Sequence, residues 1–397
     1  MRSLRNTHCP RGLVPGVLIA LALSWQTSAS QRHDDFEPGL VYVLEGNYTA
    51  AREVADRLIE TEGARGDGYT LMIDALGTEL SFDERQDHID KPLRENIKKA
   101  LAHCRERLRR DETDALAHAD CGIAHINLSY LSALRGRYIA AGNNGQKGID
   151  QLEAALADDP DFTDVKMHLG LAYYYAENLP PFIKAISPFL WFIPTGDATR
   201  ALPYIREVIE SGDDYDEVTK FIYADLLAQH DNIDDRREAV ALLDELSASY
   251  PGNARLHLAH ITHRLLAQDA DGATRAMARF RSVDKAWSDS ERALMEIWYT
   301  RALLEAGQAE AAIASFEKYE SLVAAGAEIP FWNATWEMLA RAQVLDLKAE
   351  REAALAAYRR ALALNKRYPN AYIRAVVEAG LAEPYAGDAS GGETARE

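Results

Sequence analysis

Small and large apolar residues recur at helical spacing in blocks that turn residues separate. After Gly307, for example, Ala312, Phe316 and Tyr319 follow at intervals of four and three, which places them on one face of a helix. The same order of a glycine turn, a small residue and larger apolar residues recurs after Gly196. The chain is therefore predicted to be a series of amphipathic helices joined by short turns.

A complementary signature begins the helix that precedes such a turn. Asp159-Pro160 is followed by Leu169-Gly170 and then by Tyr173. Small residues at these offsets let helix backbones approach closely, and the spacing resembles the tetratricopeptide repeat (TPR), a helix pair of about 34 residues. The resemblance covers most of residues 36–382. It implies an all-α fold, a TPR-like α-α superhelical solenoid of about eight helix pairs, occupying residues 31–382.

The repeat spacing reveals an apolar insertion at residues 179–195. After Gly170 a repeat would turn about seven residues later, but the Gly-Asp turn comes only at Gly196. Three interpretations stay open: the insertion packs into the core, it lines or covers an apolar pocket, or it contacts a membrane. The predicted ligand- or partner-binding residues are aromatic or proline residues in and before the insertion: Tyr173, Tyr174, Tyr175, Pro181, Phe182, Phe189, Trp191 and Phe192.

The preceding repeat is also too long, by about 14 residues between Gly122 and Gly148. Apolar residues after Gly122 predict that its first helix extends further and ends at a turn over residues 142–145. At the other end of the chain, Asn370 opens a final helix that runs to about Leu381 and caps the stack. Residues 383–397 are poor in apolar groups and are predicted to be a disordered tail.

Residues 1–30 have the pattern of a secretory signal peptide. Three arginines precede an apolar run over residues 12–25, and small residues follow it. That run is shorter than the roughly 20 residues a membrane span requires. The mature protein is therefore expected to be exported, periplasmic if the source is a Gram-negative bacterium, with no membrane span after signal cleavage.

The charge balance narrows the class of partner. The chain has 44 Lys and Arg against 62 Asp and Glu, a net charge of -18. This field opposes nucleic-acid phosphates and favours a protein or peptide partner with a basic patch.

Two cysteines remain after signal removal, Cys104 and Cys121. The repeat spacing places them on facing positions of consecutive helices, which makes them a disulfide candidate. Two alternatives stay open: a pair of buried thiols, or a metal site completed by His103 and His118. No metal site is predicted on balance.

Catalytic signatures are absent from the sequence. It contains no His-Glu-x-x-His zinc motif, no Gly-x-Ser-x-Gly elbow and no phosphate-binding glycine loop with lysine. His257, His260 and His263 recur every three residues, but the outer pair cannot share one helix face, so they are predicted to lie on the surface or in the groove. The chain is thus predicted to be non-enzymatic, with no cofactor.

The insertion carries a further resemblance. The run from Leu179-Pro180-Pro181 to Gly196-Asp197, followed by an amphipathic helix, resembles exported bacterial TPR proteins. It is also similar to the TPR-type T component of tripartite ATP-independent periplasmic (TRAP) transporters, with Tyr223-Ala224 at a corresponding place. The first resemblance implies a scaffold for protein–protein interaction. The second implies a periplasmic transport accessory that binds a small apolar ligand and docks a solute-binding protein.

Overall fold

The protein is all-helical in every part of the chain that its structure describes. The computed structural model describes residues 32–177, 198–211, 214–228, 230, 232–366 and 370–387. Over these residues there are 17 α-helices, two short 3-10 segments (Asp87–Ile89 and Phe331–Asn333) and no strand. The predicted signal peptide, the insertion at 179–195 and the tail beyond residue 387 lie outside these ranges.

The first eight helices are α1 (Phe36–Leu44), α2 (Tyr48–Glu60), α3 (Arg65–Phe82), α4 (Asp90–Arg110), α5 (Ala115–Leu134), α6 (Tyr138–Asp158), α7 (Val165–Glu177) and α8 (Ala198–Ser211). The remaining nine are α9 (Asp216–Leu227), α10 (Ile233–Ser249), α11 (Ala254–Leu266), α12 (Ala270–Arg281), α13 (Asp289–Glu305), α14 (Ala309–Ala324), α15 (Ala334–Leu347), α16 (Arg351–Leu364) and α17 (Ala371–Ala382).

Helix starts follow the local sequence. Asn47, Asp114 and Asp269 each accept a hydrogen bond from a backbone N–H in the first turn of α2, α5 and α12. Such caps satisfy N–H groups that have no partner within the helix. Ser288 and Glu291 form a reciprocal capping box at the start of α13. Asn370 caps α17, which confirms the predicted final helix.

Each helix packs against the next, and alternate helices also pack on one another. The skipping contacts join α1 to α3, α3 to α5 and α5 to α7, and then α11 to α13, α13 to α15 and α15 to α17. Every one of these pairs consists of two odd-numbered helices. The odd-numbered helices therefore form one layer from α1 to α7 and another from α11 to α17, and the even-numbered helices pack beside them.

Three hydrophobic cores follow one another along the chain. The first is built from α1 to α5 and also takes in Met167, Val208 and Tyr215. The second joins α5 to α11, and the third extends from α11 to α17 around Trp298. Because each core contains residues from the elements of its neighbour, burial is continuous along the stack.

The structure corrects the predicted turn at residues 142–145. The extra length is shared between α5 and α6, and the turn between them is at Gly136, whose φ of 71° is left-handed. Residues 142–145 lie inside α6. Glycine is a poor helix former, but close packing of α5 on α6 offsets the cost of Gly122 and Gly148 in these helices. A Cβ on Gly122 would lie 2.6 Å from the Leu152 side chain and 3.2 Å from the Gly148 carbonyl oxygen.

Residues far apart in sequence meet where the stack curves back on itself. Asn253 Nδ2 donates to the Leu44 carbonyl oxygen at 2.6 Å, and Arg255 donates to the Thr78 carbonyl oxygen at 3.2 Å. Helix α1 also contacts α9. The start of α11 is thereby tied to the ends of α1 and α3. We refer to the side on which these odd-numbered helices meet as the concave side.

The first residues of the predicted tail pack on the last core. The Tyr385 N–H donates to Asp346 at 2.9 Å, and its hydroxyl donates to the Leu304 carbonyl oxygen. Elsewhere, none of the helices over the described ranges combines the length and apolar character that crossing a bilayer requires.

Candidate functional site

An aromatic pocket opens on the concave side, where α3, α9, α11 and α15 converge. Its volume is about 280 Å³. The lining residues come from odd-numbered helices or from the connections next to them: Ser81, Phe82, Glu84, Phe221, Asp225, Arg255, Leu258, Ala259, Thr262, His263, Phe331, Trp332 and Trp336. Apolar walls with a few polar groups are typical of binding sites.

One wall is built around the Arg255 guanidinium. Its carbon lies 5.0 Å from the centre of the Phe221 ring and 5.9 Å from that of Phe82. Nη1 donates to the Thr78 carbonyl oxygen and, at 3.0 Å, to Ser81 Oγ. Arg255 thus uses both its charge and its donors to hold α3, α9 and α11 together at the pocket.

A carboxylate and an imidazole stand together on another wall. Asp225 Oδ1 lies 3.5 Å from His263 Nε2, and the Asp225 side chain is 64% exposed whereas that of His263 is 6% exposed. Partial desolvation would raise the pKa of Asp225, but the hydrogen bond with His263 and the electrostatic effects of His263 and Arg255 lower it below its ordinary value. Asp225 is therefore a charged carboxylate that water reaches from the concave side.

Two tryptophans form the third wall. Trp332 lies in the 3-10 segment before α15, and Trp336 lies one turn later; both contact the buried Trp298, with ring centres 6.2 Å and 5.1 Å apart. Trp332 also packs edge-on against Phe82 at 6.2 Å. Contacts of this kind fix ring orientation, so the pocket is preformed by packing.

The sequence-predicted tyrosines on α7 divide between core and concave side. Tyr173 is buried, and its hydroxyl donates to Glu153. Tyr174 is also buried, with its ring edge-on to Tyr175 at 5.8 Å. Tyr175 is 53% exposed and lies near Asp225, whose charge acts on its hydroxyl. Of the three, Tyr175 is the one available to a ligand.

The other predicted binding residues cannot be placed. Pro181, Phe182, Phe189, Trp191 and Phe192 lie outside the described residues.

The cysteine pair is joined in a disulfide. Cys104 on α4 and Cys121 on α5 are bonded, with Cα atoms 5.6 Å apart. His118 instead contacts Gln151 at 2.9 Å and the Glu112 carbonyl oxygen at 3.0 Å. Over the described ranges, no group of three or more His, Cys, Asp or Glu is placed to hold a metal ion.

The surface or groove position predicted for the α11 histidines is wrong for His257 and His260, which are buried away from the pocket. All three are buried, and His263 borders the pocket. His257 stacks on Phe280 with ring centres 4.5 Å apart, while His260 accepts from Arg264 Nε at 2.7 Å. Because α11 is covered by α10, α12 and α13, several of its faces are buried and polar side chains there need internal partners.

Sequence reasoning missed the aromatic pocket itself. Its rings stand at positions 82, 221, 331, 332 and 336, which no short motif connects. The local signal is the Phe331-Trp332 pair after Pro330, close to Trp336. The repeat pattern indicates how each helix pair packs, but it does not indicate which helices far apart in sequence come together at the pocket.

Comparison with known proteins adds no family. Neither the family models nor the curated proteins contain a match to this chain.

Proposed function

We propose that this protein is an exported, non-enzymatic scaffold, a TPR-like α-solenoid whose concave face binds a segment of a partner protein. The observation that carries the proposal is that all the described residues lining the aromatic pocket belong to odd-numbered helices or their adjoining connections. In stacked helix pairs, the first helices form the inner surface and present it for recognition.

The contact pattern supports a solenoid. Helix pairs that stack in one direction bring each first helix against the next first helix, which is the pattern of odd-to-odd contacts seen here. The sequence periodicity that resembles TPR independently predicts this arrangement.

Export rests on the presequence pattern and on the bonded cysteines. Disulfides persist in oxidising compartments such as the bacterial periplasm and are rare in reducing ones. The Cys104–Cys121 bond suits a protein exported by the predicted signal peptide.

Photo-crosslinking from the two layers tests the scaffold. A benzoylphenylalanine at Thr262, which lines the pocket, is compared with one at Lys318, an exposed residue of the even-numbered α14. The protein is produced in its source organism with the presequence intact. A product of discrete mass from Thr262 but not Lys318 is expected. Equal products from Thr262 and Lys318 would overturn the proposal. So would the absence of a product both from Thr262 and from a benzoylphenylalanine placed at Tyr175.

The pocket volume favours a second candidate, a transport accessory like the TRAP T component that binds a small apolar ligand and docks a solute-binding protein. About 280 Å³ lies near the lower end of small-molecule sites, which span about 300 to 1,000 Å³. Native mass spectrometry of the mature protein distinguishes the two functions. An apolar molecule released on unfolding, and lost in a Trp332→Ala variant, would support the accessory; a clean apoprotein mass would count against it.

A further inference from the structure

The pocket is acidic as well as aromatic. Among the described residues, two carboxylates, Asp225 and Glu84, line it together with one guanidinium, that of Arg255. His263 is buried beside Asp225 and has no hydrogen-bond partner at Nδ1 within the described part of the chain. The carboxylates thus outnumber the guanidinium, in a protein of net charge -18. The local and the overall field therefore both favour a cation.

Arg255 is held in the pocket wall by its own contacts and is poorly placed to bind an anion. Its guanidinium faces the Phe221 and Phe82 rings and donates to Thr78 and Ser81. A carboxylate ligand would also have to approach the exposed Asp225. Arg255 therefore has a structural role, because it links α11 to α3.

Trp332 offers an aromatic face that no cation occupies. Among the described residues, cations lie over the rings of Phe82, Phe221 and Trp336, the last covered by Arg301 at 5.8 Å, but none lies over Trp332. Tryptophan is the best cation–π acceptor of the aromatic side chains. The pocket therefore combines an indole that no described cation covers with an exposed carboxylate.

We propose that this pocket receives one basic side chain, lysine or arginine, of the partner protein, seated on Trp332 with Asp225 as its counter-ion. The proposal rests on the scaffold function and specifies the chemistry of the bound segment. A volume of about 280 Å³ admits one long side chain with its solvent rather than a folded element. The rest of the partner segment then lies along the concave face.

Paired small probes test the charge requirement directly. N-acetyl-arginine amide and N-acetyl-citrulline amide have nearly the same shape, but only the first is charged. Binding is followed by fluorine NMR of the full mature protein labelled with 5-fluorotryptophan, with the Trp332 and Trp336 signals assigned from Trp→Phe variants. The arginine probe is expected to shift the Trp332 signal and to bind at least about ten-fold more tightly than the citrulline probe, as for a charge-assisted contact.

Variants identify the two partners of the cation. Asp225→Asn keeps the side-chain shape and should weaken the arginine probe about ten-fold, while Asp284→Asn, at an exposed acid outside the pocket, should leave it unchanged. Trp332→Phe should weaken it about two- to five-fold because phenylalanine is a poorer cation–π acceptor. Thermal unfolding of each variant verifies that the fold is retained.

Three results would overturn the proposal. They are equal binding of the two probes, tighter binding of benzoate than of the arginine probe, and an unchanged arginine affinity in a folded Asp225→Asn variant. Crosslinking from Thr262 is a separate readout. If crosslinking persists while the probes fail, the scaffold function stands and only the basic side chain is wrong.

Discussion

The two ends of the molecule each bury one arginine, and they neutralise it in different ways. Near the start of the described chain, Arg32 is buried with Asp67 at 2.8 Å and Asp120 at 3.2 Å, both carboxylates being buried as well. On α13, Arg301 is fully buried, and its partners are Glu305 at 2.7 Å, which is partly exposed, and the neutral Gln343 and Tyr372. The first site concentrates charge in the core, whereas the second disperses it.

The difference shows what each region depends on. A buried carboxylate whose cation is removed cannot be rehydrated, whereas a partly exposed one can. The first core also holds a third acid, Asp74, which accepts a hydrogen bond from the Tyr215 hydroxyl at 2.6 Å. The N-terminal region is therefore held by electrostatics and a disulfide, and the C-terminal region by aromatic packing around Trp298.

Removing each arginine gives the largest expected effect and the sharpest contrast. Arg32→Met leaves Asp67 and Asp120 buried without their common cation and should lower the free energy of unfolding by about 3 to 5 kcal/mol. Arg301→Met should cost about 1 to 3 kcal/mol, because its remaining partners are neutral or hydrated. Urea unfolding of the mature protein at pH 7 measures both. Equal costs would remove the distinction between the two sites.

Breaking the disulfide comes next in size. Replacing Cys104 and Cys121 by alanine opens a loop with a sequence separation of 17, for which chain entropy alone gives about 3 kcal/mol. Hydrogen exchange should locate the loss of protection in α3 to α6, while α13 to α17 stay protected. A loss that spreads evenly over the whole chain would mean that the stack unfolds as one unit and that its two ends are not separately stabilised.

Local features of the fold were predictable from the sequence. The turn at Gly307 is confirmed, with a φ of 70°. Left-handed backbone favours glycine, and the helix spacing fixes where that glycine must fall. The extension of α5 and the final helix were also predictable. These features depend on residues within about one helix of each other.

Features that depend on distant residues were not predictable. Residues 142–145 look like a turn locally, but they lie inside α6, which packs closely on α5 at Gly122 and Gly148. The pocket brings Phe82 and Trp332 within 6.2 Å across some 250 positions. That meeting follows from rotations that accumulate over many helix pairs, which no single repeat encodes. Of the predicted binding residues that the structure describes, only Tyr175 has an accessible ring.

The smallest expected effect is a pH dependence of the free energy of unfolding, and it comes from the acid-rich first core. Burial raises the pKa of Asp74 from 3.8 to about 6, although the Tyr215 hydrogen bond and the Arg32 charge act in the opposite direction. The folded state therefore holds this proton more tightly than the unfolded state does. Its contribution to stability is fully present below about pH 4 and is lost as the pH rises through about 6.

Asp74→Asn removes that titration while its amide oxygen can still accept from Tyr215. The variant should become more stable than the parent as the pH rises from about 4 to 6, reaching an advantage of about 1 to 3 kcal/mol at pH 8. Urea unfolding at intervals of one pH unit measures this, with Asp56→Asn on the exposed face of α2 as the control for net charge. A difference between Asp74→Asn and the parent that does not change with pH would show that the acid is already ionised in the folded core. Arg32 would then balance Asp74 as well as Asp67 and Asp120. The N-terminal region would in that case tolerate charge as well as the C-terminal region does.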